Sequence, residues 1–354
     1  MTTVQSNPLQ QKPADSTPGF QAGPLDLTSI RRQWVSAVTD FNKPKADEIL
    51  DHAFETHSPE TVCLEVLLAG LREVGDLWYA GEISVSQEHF ASAHAMRRVE
   101  ALIQSASVSC HTNCVLVAAP PLENHCFNLL LLTFLLLRYG REVVYLGANL
   151  PLEWMDATIK RLRPCWVITA SQYLPSCAGV LELAGFLKER GVPLGYGGLT
   201  FNRVPALRKR VQGHFLGEEL GEVPQRLDSL EGTEPASEQV EPLPPWREEL
   251  LPLFREKELF IRGTVGIELK KLDAADERFI EIGRELGRHL IAALATEEMA
   301  VAGAYIHWLR GRRGRGALTG NQITFYLALY AQAVRTWMGS EGAWIADYLK
   351  ACVA

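Results

Sequence analysis

Between residues 113 and 216, short apolar runs alternate with helical segments, and this alternation limits the fold more than any other feature of the chain. The run Asn113-Cys114-Val115-Leu116-Val117-Ala118-Ala119 reads as a buried strand, and a helix over 125–139 follows it. Further strands are expected at 142–146, 165–171, 193–196 and 214–216, separated by helices near 152–162, 176–189 and 203–211. Strands that alternate with helices build a doubly wound parallel sheet. Ligands of such sheets bind beyond the carboxyl ends of the strands, so chemistry is to be sought in the loops that follow them.

The flanks are different. Residues 25–107 carry helical periodicity in four segments, and Ser58-Pro59-Glu60 is a clear start for the third: serine as N-cap and proline at the first helical position. Leu27-Thr28-Ser29 offers caps to the first segment, Asn42-Lys43-Pro44 ends it, and the fourth begins near Ser86-Gln87-Glu88. Four antiparallel helices with short loops make a bundle. Residues 1–24 are rich in Pro, Gln, Ser and Thr without an apolar period, and are expected to be a disordered tail. The expected units are thus a bundle over 25–107, an α/β domain over 112–228, an acidic, proline-rich linker over 229–245 and an all-α domain over 246–354.

Several function classes recede. A formal net charge of −7 over 354 residues weighs against nucleic acid as the main partner, because that binding draws on phosphate neutralisation. The longest apolar run, 129–137, is too short to span a bilayer, and the first residues lack the charged and apolar regions of a signal peptide. Seven cysteines, an odd number without a CxxC pair, read as reduced thiols. The expectation is a cytoplasmic protein with no membrane association.

The first strand leads into Pro120-Pro121-Leu122-Glu123-Asn124-His125-Cys126-Phe127-Asn128. A neutral imidazole there can ligate a metal if its second nitrogen is held by a carboxylate, and Glu123 is close enough in sequence to supply that hold. Taken alone, a histidine at a helix start is more often a capping or packing residue. The loop resembles the D/E-x-H-x-x-G motif of cobalamin-binding domains in which a histidine replaces the displaced base. The family's S-x-L element resembles Ser171-Gln172-Tyr173 and its Gly-Gly pair resembles Gly197-Gly198, so the three elements fall after strands one, three and four. The resemblance implies His125 as lower cobalt ligand, Ser171 against the displaced base, and Gly197 and Gly198 beside the nucleotide tail. Asn128 stands where the motif has glycine and Tyr173 where it has leucine. Both departures could reshape the tail pocket.

In the bundle, Trp78 is followed after nine residues by Glu88-His89. As residues alone these read as a core tryptophan and a polar helix start. The W-x9-E-H pattern resembles the CarH-type cobalamin photoreceptors. It implies adenosylcobalamin with Trp78 against the upper ligand, Glu88 on a ribose hydroxyl, and His89 as a second cobalt ligand after the carbon–cobalt bond breaks. The alternative is a corrinoid methyl carrier serving a methyltransferase system. Residues 246–354 hold His289, His307, many aromatics and a basic run that includes Arg312. Alone these read as a packed helical core with a solvated basic loop. The domain order resembles the photocobilins, in which a globin-like domain adds a bilin. That resemblance implies biliverdin held without a covalent bond near His289, His307 and Arg312, with haem as the lesser possibility. The whole implies a light sensor rather than an enzyme, acting on a downstream protein by domain packing or as a homo-oligomer.

Overall fold

The computed structural model describes residues 26–106, 114–233, 245–274, 276–312 and 317–352. The sequence readings for 1–24 and for most of 229–245 lie outside the described residues.

The bundle comprises helices Leu27–Thr39 and Lys43–Thr56, a third over 59–80, and a fourth at Val85–Ala106. The first helix is capped one residue earlier than the sequence reading: the Asp26 side chain accepts from the Ser29 backbone N–H. Ser58 caps the third through the Thr61 N–H. That helix widens into a π-helical turn over Cys63–Leu68, which nothing in the sequence pattern marks. Its core is apolar around Trp34, Leu50, Val66 and Leu67. One polar network crosses it. Trp34 Nε1 donates to His94 Nδ1 at 3.4 Å, and His94 Nε2 meets Asp47 Oδ1 at 3.0 Å.

The sheet has five parallel strands: β1 (Val115–Ala118), β2 (Val143–Gly147), β3 (Trp166–Ala170), β4 (Leu194–Gly197) and β5 (His214–Phe215). Their order is β2-β1-β3-β4-β5, which places the ends of β1, β3 and β4 side by side. The leucine-rich helix Phe127–Arg138 is apolar on every side because it is sandwiched. Phe127, Leu130, Leu131, Phe134 and Leu135 pack with the bundle, while Leu129, Leu132 and Leu136 pack on the sheet.

The C-terminal helices are Pro245–Lys271, Glu277–Thr296, Ala300–Gly311, Gly320–Met338 and Ala343–Ala351. The first runs ten residues past the 261 expected from sequence. Gly263 and Gly266 do not stop it, because Ile261, Val265 and Leu269 continue one buried face at helical spacing. Its core, including Phe254, Leu290 and Tyr330, is continuous with the cluster on one face of the sheet around Leu116, Val167 and Tyr196. No described helix is long and apolar enough to cross a membrane.

Candidate functional site

After β1 the chain turns through Leu122, whose φ of 69° lies in the left-handed region. Two hydrogen bonds hold that turn: Leu122 N–H donates to Asn149 Oδ1 at 2.8 Å, and Asn149 N–H to the Glu123 carbonyl at 2.9 Å. The consequence is that Glu123 is driven fully inward. A buried carboxylate is tolerated only if its oxygens are satisfied, and here they are. Oε1 accepts from the His125 backbone N–H and from His125 Nδ1, both at 2.8 Å. Oε2 accepts from the N–H groups of Gln172 and Tyr173 at 2.7 and 2.8 Å, and from Ser176 Oγ at 2.9 Å. Burial pushes the Glu123 pKa up, but the bonds from His125 and the Tyr173 amide outweigh it and hold the carboxyl below its ordinary value.

A carboxylate only accepts, so the bond to Glu123 fixes the His125 proton on Nδ1 and turns Nε2 outward. The side chain keeps 69% of its surface exposed, and the helix begins only at Phe127. The hydrogen bond to Glu123 raises the His125 pKa, against the smaller opposing effect of burial, and Glu88 of the bundle adds to the rise. Glu88 is therefore within electrostatic reach of His125. A more basic imidazole with one nitrogen free is the state that second-shell carboxylates impose on metal-ligating histidines. Among the described residues no group of three or more His, Cys, Asp or Glu could hold a bare metal ion. A single imidazole suffices where a macrocycle supplies the other donors.

Ser171 lies just past β3, fully buried, with its Oγ 2.7 Å from Ser176 Oγ and 2.8 Å from Thr200 Oγ1. The two glycines after it in space differ. Gly198 has φ 106°, and a Cβ there would stand 2.4 Å from the Ser171 carbonyl oxygen, so the backbones of the two loops touch. A Cβ on Gly197 would meet nothing nearer than 3.9 Å. Between them lies Gln172, a residue the sequence reading passed over. Its Oε1 accepts from Leu199 N–H at 3.1 Å, while its Nε2 is buried without a hydrogen-bond partner. A buried donor without a partner at Gln172, and a Gly197 whose Cβ would meet nothing nearer than 3.9 Å, both suit a polar ligand tail, so the residues present fit the group that the sequence resemblance implies.

The bundle residues sit at the junction of its third and fourth helices. Glu88 Oε2 pairs with His89 Nδ1 at 2.6 Å, and Glu88 Oε1 accepts from Ser92 Oγ at 2.7 Å. The His89 side chain is 74% exposed. Trp78 is half-buried against the C-terminal helices, its ring 6.4 Å from that of Trp308. The guanidinium of Arg312 lies 5.7 Å from the Trp78 ring and 5.5 Å from that of Trp308.

His289, His307 and Arg312 do not converge on one point. His289 is buried, stacked on Tyr305 at 4.2 Å, with Nδ1 2.7 Å from the Glu285 carbonyl oxygen. Tyr305 stacks in turn on Trp308 at 5.9 Å. His307 is exposed: on Ala300–Gly311 the buried face is taken by Ala302, Tyr305, Ile306 and Leu309, and residue 307 falls outside it. Arg312 is at the seam with Trp78. A pocket of about 340 Å³ opens beside His125, lined by Leu122, Asn124, His125, Asn149 and Tyr173 together with Glu285 and Arg288 of the C-terminal helices. Sequence reasoning did not find these last two, because residues 112 or more positions apart from the loop carry no local signal.

Comparison with known proteins follows the same division. The family model described as "B12 binding domain" matches residues 30–103, the helical bundle. The HTH-type transcriptional repressor CarH of Myxococcus xanthus is 29% identical over 193 residues, 53% of this chain and 64% of that protein. The repressor CarA of the same organism is 29% identical over 135 residues, 38% of this chain and 45% of that protein. The chain therefore spans less than two thirds of the length of these curated relatives. Among solved structures, the Methanosarcina barkeri monomethylamine corrinoid protein covers 58% of this chain and 98% of its own, with 19% identity and a TM-score of 0.48. The family match and the two repressors support a cobalamin-binding module within this chain.

Proposed function

We propose that this chain is a light sensor that binds adenosylcobalamin between the bundle and the sheet, with His125 as the lower ligand of the cobalt. The observation that carries the reading is Glu123: one buried carboxylate holds the His125 proton on Nδ1 and at the same time the loop that follows β3. When bound, the cofactor supplies a cobalt–carbon bond that is stable in the dark and broken by light.

The chain's own residues divide the remaining work. Glu123 orients the imidazole and raises its basicity. Gln172 Nε2 would donate to the nucleotide tail, for which Gly197 leaves room, while Ser171 and Gly198 hold the two loops together. Trp78 and Glu88 would line the space for the upper ligand, and His89, exposed beside Glu88, would be the second imidazole available to the metal. The bundle residues that would line the upper side of the cofactor would pack differently once it changed, a local event biasing a bistable arrangement. The reading extends to biliverdin, held without a covalent bond by a globin-like C-terminal unit. Its support is the order of the units and the stack of buried His289 and Tyr305 on half-buried Trp308.

The test uses protein purified in the dark after growth with cobalamin and biliverdin. Its absorbance and its size-exclusion profile are recorded before and after green light. The expected result is cobalamin bands that change on illumination together with a shifted elution volume, and additional bands of a bound bilin. Cobalamin bands and elution that green light leaves unchanged contradict light sensing. A bilin band that is missing contradicts the extension to the C-terminal unit alone.

A further inference from the structure

A hydrogen-bonded path runs from His125 to the C-terminal helices. Glu123 Oε1 accepts a hydrogen bond from His125 Nδ1–H, and its Oε2 accepts one from the backbone N–H of Tyr173. The Tyr173 side chain lines the same pocket as His125. Its hydroxyl donates to Glu285, and its ring meets His289 edge-on at 5.6 Å. Glu285 also pairs with Arg288 at 2.8 Å, and both line the pocket that holds the edge of His125. Burial pushes the Tyr173 hydroxyl pKa up, so it stays a donor throughout the physiological range.

Position 173 is also where the chain departs from the S-x-L pattern. Leucine has no polar group and could not reach a carboxylate across a domain seam. The tyrosine does, which gives the departure a physical use.

We propose that Tyr173 is a positioning residue that docks the C-terminal helical unit onto the loop carrying the cobalt ligand, so that occupancy of the His125 pocket and docking of helix Glu277–Thr296 form one equilibrium. The proposal rests on the cobalamin reading above. Its physical basis is that Glu123 shares one carboxylate between the imidazole and the Tyr173 backbone, with five donors on it and no exposure to water. A group held that tightly cannot follow His125 without carrying residue 173 along. Coupling of this kind is reciprocal: docking changes cofactor affinity by the same factor by which cofactor changes docking.

The experiment is hydrogen exchange on the full chain, comparing wild type with Tyr173→Phe, which keeps the ring and removes only the hydroxyl. Without cofactor, amides in 277–296 exchange about tenfold faster in the variant, the factor for one hydrogen bond to a charged acceptor, while amides of the bundle do not change. Glu285→Gln, which keeps an acceptor, gives a smaller increase. On addition of adenosylcobalamin, exchange in 277–296 shifts in wild type, and the shift shrinks by a similar factor in Tyr173→Phe. Equal exchange in 277–296 in the two cofactor-free proteins overturns the docking role. Equal shifts on loading overturn the coupling. If neither protein takes up adenosylcobalamin, the functional reading falls and the coupling with it, while the cofactor-free arm still decides whether Tyr173 docks the helices.

Discussion

At the scale of single residues, the site depends on what stands next to each functional group. Gly197 and Gly198 are adjacent and chemically identical, yet the structure gives them opposite tolerances. A methyl group at 198 would stand 2.4 Å from a backbone oxygen at a φ of 106°, and backbone cannot swing aside as a flexible side chain does. Gly198→Ala is expected to cost at least about 3 kcal/mol in urea unfolding. Gly197→Ala is expected to cost under about 1 kcal/mol, since the added carbon meets only the Gly217 carbonyl oxygen, at an ordinary contact distance of 3.9 Å. Equal losses for the two variants would show that the Ser171 contact does not set the requirement. The Gly-Gly pair was legible in the sequence as a pair, but the division of labour was not, because it depends on which backbone lies across the cleft. Gln172 went unnoticed for a related reason. A glutamine between two motif positions has no pattern of its own, and only the burial of its unpaired nitrogen singles it out.

At the scale of elements, the alternation of strands and helices carried over because short β-branched runs and leucine-rich helices have few other ways to bury their surface. The observed order β2-β1-β3-β4-β5 then brings the loops after β1, β3 and β4 side by side. What periodicity could not show was the π-helical turn at Cys63–Leu68 or the length of Pro245–Lys271, where packing overrides local signals. Within the C-terminal helices, His289 illustrates how an element's stability acquires a pH dependence. Burial holds its pKa down to about 4, despite the opposing bond to the Glu285 carbonyl, and Arg288 lowers it further. A histidine whose folded pKa lies below its unfolded value near 6.5 takes up protons preferentially when unfolded. Its stability contribution is intact above that value and is lost as pH falls from 6.5 towards 4. The unfolding free energy of wild type is therefore expected to drop by about 2–3 kcal/mol more between pH 7 and 4.5 than that of His289→Phe, which keeps the stack on Tyr305. The same slope in both proteins would mean that His289 charges freely in the folded state.

At the scale of the molecule, the three parts meet where the cofactor is proposed to lie. Trp78 of the bundle touches Trp308, Tyr173 of the sheet domain touches Glu285 and His289, and the apolar core of the C-terminal helices runs on into the sheet. None of this was legible in the sequence, since contacts between residues 112 and 230 positions apart are set by the docking of finished units. Glu123, His125, Ser171, Gly197 and Gly198 of the proposed lower face were legible as motif positions after strands one, three and four, whereas Gln172 was not. The histidines of the C-terminal part were not resolved into buried and exposed without the helical face defined by Ala302, Tyr305, Ile306 and Leu309.

The central claim is that His125, held by Glu123, ligates the cobalt of a bound cobalamin, and it is tested most directly by the dark absorption spectrum of adenosylcobalamin-loaded wild type beside His125→Ala. The account expects a spectrum of histidine-ligated cobalamin in wild type and its loss in the variant. A wild-type spectrum identical to that of the free cofactor, or one that His125→Ala leaves unchanged, would contradict it.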